Sequence, residues 1–192
     1  MTCVPGTTPY PWPWHGELDP ERLALLLVSC YADDRPPPGD LAAVVRAAGG
    51  LVAGVRVRAP RPAAGESAAS WIDMPVSAPG WADVPVSAPS WADVLVSVPG
   101  WDGFYAGPLD ALLRRHGRDL LLLAGCCLET GVHSTLRSAN DRGYECLLVA
   151  DATRAARADL RAGAVSTIEM SGGIFGAVGA SAAVAAALTG KE

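Results

Sequence analysis

Two apolar runs of strand length, Leu120 to Ala124 and Cys146 to Ala150, enclose a stretch with helical spacing, and this pattern constrains the fold more than any other part of the chain. The first run ends in Gly125. Thr130 can cap a helix in which Val132, Leu136 and Ala139 fall at i, i+4 and i+7, and Gly143 is placed to stop it. Asp151 closes the second run. Strands that are apolar throughout, without alternation, are covered on both faces, so the segment predicts a βαβ unit in a buried parallel sheet. Gly125 to Val132 lies between the carboxyl end of the first strand and the amino end of the helix. Ligands of such sheets sit there, because free helix N–H groups and the helix dipole attract negative charge.

The rest of the chain alternates in the same way. Leu23 to Val28 reads as the first strand, Leu41 to Ala48 as a short helix closed by Gly49-Gly50, and Leu51 to Val57 as the second strand. Pro60 to Ser70 is a loop rich in Pro and Ala. Val94 to Val98 reads as the third strand and Gly107 to His116 as a helix. Beyond the βαβ unit, Thr153 to Gly163 reads as a helix, Ile174 to Val178 as the sixth strand and Ala180 to Leu188 as the closing helix. The alternation predicts a doubly wound α/β sheet with helices on both faces, and residues 1–192 read as a single domain with enough chain to bury a full core.

A tandem repeat interrupts this order over residues 71–100. Units of ten residues begin at Trp71, Trp81 and Trp91, and Trp101 stands where another would start. Pro75 and Pro85 sit in the middle of the first two copies, and proline cannot donate to a strand ladder. The third copy carries Leu95 there, so it alone is expected to enter the sheet, as a buried parallel strand. With an even period, Trp71, Trp81 and Trp91 would share one face of an extended segment. Such a face could dock a partner; the plainer reading is a loop lengthened by duplication.

Charge and cysteine usage exclude several classes. The net charge is −5, charged residues are 18% of the chain, and no basic cluster occurs, which argues against nucleic acid and anionic membranes as partners. The five cysteines, Cys3, Cys30, Cys126, Cys127 and Cys146, are odd in number and two lie in predicted core strands, which fits reduced thiols in the cytoplasm. No basic segment precedes an apolar run at the N-terminus, so no signal peptide is expected, and Gly172 to Leu188 is too short and too rich in small residues to span a bilayer. His15, His116 and His133 are scattered without a paired-ligand spacing, so no metal is expected. Gly49-Gly50 precedes a strand and opens no helix, so no phosphate-binding loop is present and no cofactor is expected.

Gly125 to Val132, reading GCCLETGV, resembles the nucleophile segment of the isochorismatase-like superfamily, and more narrowly of its cysteine-hydrolase branch, which includes biuret hydrolases and nicotinamidases. That branch typically carries G-V-x-T-x-x-C-V. Pro9 to Pro20 (PYPWPWHGELDP), Phe104 to Arg114 (FYAGPLDALLR) and Gly172 to Val178 (GGIFGAV) are similar to further segments of the same group. The resemblance implies a three-layer sandwich around a six-stranded, mostly parallel sheet of order 3-2-1-4-5-6, with the crevice between strands one and four. It also implies a small amide-like ligand, and assembly as a homo-oligomer or with an active homologue.

The chemistry implied by that family needs an Asp ending the first strand, a Lys after the third, and the Cys. The Asp takes the thiol proton, the Lys favours thiolate, the Cys attacks an amide carbonyl, and backbone N–H groups hold the oxyanion. Carried over residue by residue, these positions fall on Ser29, Val98 and Gly131. No lysine occurs before Lys191, and Asp33 lies beyond Ser29 in sequence. Gly131 alone would suit true isochorismatases, which have Gly there and cleave a vinyl ether, but that route also needs the Asp and Lys; a serine hydroxyl supplies no acid near pH 7. Displaced candidates are Cys126, Cys127 and Cys30 as thiols, Glu129 as an acid in the crevice loop, and His133 in the first turn of the helix. The sequence therefore favours a family member that has lost catalysis and serves as a binding or assembly subunit. The alternative is a hydrolase of C–N bonds in small amides or ureides that uses displaced residues.

Overall fold

The computed structural model describes residues 3–29, 40–57 and 90–190. Six strands, β1 (Leu23–Ser29), β2 (Leu51–Val57), β3 (Val94–Val98), β4 (Leu120–Cys126), β5 (Glu145–Arg154) and β6 (Ala177–Gly179), form one sheet of order β3-β2-β1-β4-β5-β6. Every pairing between them is parallel. Five α-helices, α1 (Leu41–Ala47), α2 (Leu109–Arg115), α3 (His133–Asp141), α4 (Arg161–Glu169) and α5 (Ser181–Thr189), cover it.

Each face of the sheet has its own core, which is why the central strands read as unbroken apolar runs. Leu26, Val28, Leu121 and Leu123 pack with Leu113 of α2, Leu136 of α3 and Ile168 of α4. On the other face, Leu25, Leu27, Leu120 and Leu122 pack with Val45 of α1, Val184 of α5 and the fully buried Trp12 of the N-terminal segment. The strand order reverses between β1 and β4, so the chain leaves both strands in opposite directions and opens a crevice at their carboxyl ends.

Glycine matters at both ends of the βαβ unit, and at the crevice it is Gly125 that lets the strands meet. Gly125 has φ +120°, and a Cβ there would lie 2.0 Å from the Val28 carbonyl oxygen, so β1 and β4 approach as they do only over glycine. Gly143, at φ +83°, ends α3 as its position suggested.

Three expectations are corrected. Thr130 does not cap a helix: it lies inside a single π turn, Leu128–Val132, and α3 starts at His133. The helix placed at Thr153 to Gly163 is strand at its start, because a register shift opposite Leu123 and Gly125 lets β5 run on to Arg154. Arg161 then donates to the carbonyls of Ala150 and Thr153 at 2.6 and 2.9 Å, so α4 begins there. The sixth strand starts at Ala177, not Ile174. Gly172, Gly173 and Gly176 all have positive φ and keep the chain turning, with Ile174 72% exposed.

Val94–Val98 does form the third strand, parallel to β2. It is the edge strand that this order places there, with Ser97 exposed and Val94 and Leu95 half-buried, so it is less covered than the buried strand its apolar sequence suggested. The Asp93 N–H donates to the Val52 carbonyl, and two-residue alternation turns the Leu95 N–H to β2 as well. Proline at position 95 would remove that donor. The first two repeat copies and the loop at 60–70 lie outside the described residues. The indole of Trp91 and the side chain of Leu95 both press on Gly54 of β2, and Trp101 packs against the α2 and α3 core.

Candidate functional site

Four residues form a lateral row at the carboxyl edge of the sheet. Ser29 of β1 is in register with Arg56 of β2, and Arg56 with Ser97 of β3. On the other side, Val28 pairs with Gly125, so Cys126 of β4 follows beside Ser29, and its Sγ lies 3.9 Å from Ser29 Oγ. Alternation sends the side chains of Ser29, Arg56 and Ser97 to the α1 and α5 face. Val98 is one residue on and points to the opposite face. It is 1% exposed and lies against Gly107, where a Cβ would meet its Cγ1 at 2.4 Å. Two strand spacings of about 4.8 Å put the backbones of Ser29 and Val98 about 10 Å apart, but their side chains diverge.

Gly131 is buried in the π turn that packs on the ends of β1 and β4. The turn is entered through Cys127 at φ +63°, a left-handed conformation that costs a non-glycine residue about 1–2 kcal/mol. The Cys127 carbonyl accepts the N–H of Thr130 at 3.0 Å and of Val132 at 3.3 Å. Gly131 is tied down through Thr135 of α3, which is fully buried. Its Oγ1 donates to the Gly131 carbonyl at 2.7 Å and accepts the Gly103 N–H at 2.9 Å. Thr135 thus joins the segment after β3 to the turn after β4.

The displaced candidates fare unequally. Cys126 borders the crevice, whereas Cys127 is 1% exposed; Cys30 lies outside the described residues. Cys146, fully buried in β5, has its thiol pKa pushed up by burial and by Glu145. Glu129 is occupied: its carboxylate accepts the N–H groups of Ala156 and Arg157 at 3.0 and 2.8 Å and clamps the segment after β5. His133 opens α3, and burial, with Arg137 nearby, lowers its pKa below the ordinary imidazole value. It is therefore neutral near pH 7. Among the described residues no group of three His, Cys, Asp or Glu side chains is placed to hold a metal ion.

Two residues of this site escaped the sequence reading. Arg56 is 9% exposed and stands next to Ser29, so the end of β2 brings a cation to this row although the chain has no lysine before Lys191. Its signal was a lone charge inside the apolar run LVAGVRV of β2. Thr135 was legible only as a hydroxyl on the buried stripe of α3.

A six-stranded parallel sheet with its site at the reversal between β1 and β4 defines a doubly wound α/β protein whose crevice is lined by strand ends and one helix entrance. Residues 39–181 match the Isochorismatase domain, and the chain belongs to that family. Its structure is similar to a cysteine hydrolase from Pseudomonas syringae, with a TM-score of 0.71 over 93% of this chain and 97% of that one; at 20% identity this is a likeness of fold. An isochorismatase family protein from Burkholderia thailandensis superposes with a TM-score of 0.62 at 25% identity, over 88% and 96% of the two chains. In sequence, 91 residues are 41% identical to the ureidoacrylate amidohydrolase RutB of Methylorubrum extorquens. That match takes in 47% of this chain and spans 36% of the relative's length. Among the described residues no helix is long and apolar enough to cross a membrane.

Proposed function

We propose that this chain keeps the isochorismatase fold as a binding or assembly subunit and has given up the family's bond-breaking chemistry. The observation that carries the reading is at the end of β3: Val98 is packed into the core, and the only lysine of the chain is Lys191. Without a cation at that position a thiolate or oxyanion loses its stabilising charge. The neighbouring positions agree. Ser29 offers a hydroxyl where a carboxylate would take up a proton, and Gly131 has no side chain to attack with. The Thr130 N–H, which would flank an oxyanion, is engaged by the Cys127 carbonyl. A small amide-like ligand could still enter the crevice, and oligomerisation or pairing with an active homologue would give the retained fold a use.

A second reading rests on Cys126. Its sulfur lies beside Ser29 in the row that contains Arg56, an arrangement in which a displaced thiol could attack a small ureide or amide. Both readings meet the same test. The purified protein is assayed for turnover of ureidoacrylate, N-carbamoylsarcosine, nicotinamide, biuret and isochorismate, beside a Ser29→Asp, Val98→Lys, Gly131→Cys variant. The expected result is no wild-type turnover above the uncatalysed rate. A wild-type kcat of about 1 s⁻¹ or more overturns the first reading, and its loss in Cys126→Ser would establish the second.

A further inference from the structure

At the opposite, amino end of the sheet, a cavity of about 330 Å³ opens between the N-terminal segment, the end of α3 and the glycine turn before β6. Tyr10, Trp14, His15, Asn140 and Glu145 line it. It is separate from the crevice, because Glu145 is the first residue of β5 while the crevice lies at the strands' carboxyl ends.

Glu145 organises this cup. Its Oε1 accepts the backbone N–H groups of Trp14 and His15, the latter at 3.2 Å, and so holds the segment that carries Trp14. Oε2 has only a long 3.4 Å contact with the His15 N–H. Among the described residues no arginine or lysine bridges Glu145; nearby Arg22 is paired with Asp119 through two 2.8 Å hydrogen bonds. Burial raises the Glu145 pKa, as it does for a half-buried carboxylate whose charge is incompletely met.

The walls are largely aromatic, with one further acceptor. Trp14 is 62% exposed at the mouth, held edge to face with Tyr10 at 5.1 Å and 88°. Asn140 spends its Nδ2 on the Leu136 carbonyl, which leaves Oδ1 as an acceptor. Gly173, at φ +105°, lets the turn close onto the Tyr10 ring, since a Cβ there would lie 2.8 Å from Tyr10 Cε1. A carboxylate with an open oxygen, an amide oxygen and an exposed indole together complement a compact donor cation. The volume is at the small end for ligand cavities.

We propose that this cup binds a small organic cation, a guanidinium or alkylammonium group, between the Trp14 indole and the Glu145 carboxylate. The test is calorimetric titration of the full chain at low salt with ethylguanidinium, and with ethylurea as its neutral counterpart. Saturable one-site binding of ethylguanidinium is expected, at least about tenfold tighter than ethylurea. Glu145→Gln keeps an oxygen for the Trp14 and His15 N–H groups but removes the charge, and should weaken ethylguanidinium about tenfold or more. Trp14→Ala, at an exposed position where folding is not at stake, should weaken it several-fold. Absent saturable binding, equal affinity for ethylurea, or affinity unchanged in both variants would overturn the proposal. None of these outcomes bears on turnover in the crevice.

Discussion

At the scale of single residues, the crevice is set by which side chains its strand ends present. Ser29 and Cys126 face one another at 3.9 Å, while Val98, which the family resemblance aligns with a catalytic lysine, has turned into the core. If the crevice is catalytically silent, Cys126 should react slowly with iodoacetamide at pH 6 and faster at pH 9, because only the thiolate is alkylated. Cys146 should stay unlabelled in the folded protein. Peptide mass spectrometry distinguishes the sites, and rapid labelling of Cys126 at pH 6 would speak for the displaced-hydrolase reading. His133 makes a different pH prediction. Burial lowers its pKa in the folded state, so the unfolded chain binds more protons below the ordinary value of about 6.5. Its contribution is intact above that value and is lost as pH falls. Urea unfolding should show wild type losing more stability between pH 7.5 and 5 than His133→Gln.

At the scale of elements, what the sequence could show depended on how local the cause was. β2 and β3 were read to the residue because burial and ladder chemistry act on each strand's own pattern. The extension of β5 to Arg154 was not legible, because it depends on a register shift against β4. The late start of β6 was half legible: Gly172, Gly173 and Gly176 were visible as glycines, but their positive φ comes from where the turn must pass Tyr10 and the Cys146 carbonyl. In the site, the strand ends were legible and the side-chain directions were not. Ser29 and Val98 are each the last residue of a strand, and only the register reveals that they stand on opposite faces. The joint between β1 and β4 gives the element-scale prediction. Gly125→Ala would put a methyl group against the Val28 carbonyl at an unfavourable φ, and should cost about 3 kcal/mol or more. Thermal unfolding should show a midpoint lowered by roughly 10 °C, given about 2–4 °C per kcal/mol at this chain length.

At the scale of the whole molecule, the sheet is two half-sheets joined at β1 and β4, and the segments beyond their ends need not move together. One hydroxyl makes them do so. Thr135 takes the Gly103 N–H from one half and gives its own proton to the Gly131 carbonyl of the other, at full burial. Thr135→Val keeps the shape and takes from the buried Gly103 N–H its hydroxyl partner, at about 1–3 kcal/mol if that group stays dry. Hydrogen exchange should report this as faster exchange at Gly103 and in residues 128–132, with α2 and α5 unchanged. Unaltered exchange at Gly103 would show that the hydroxyl is not the tie. Thr135 thus ties the two walls of the cleft together from a fully buried position. A crevice latched in this way is expected to hold its form before anything enters it, so a guest would be selected by shape, with little change between the empty and filled states.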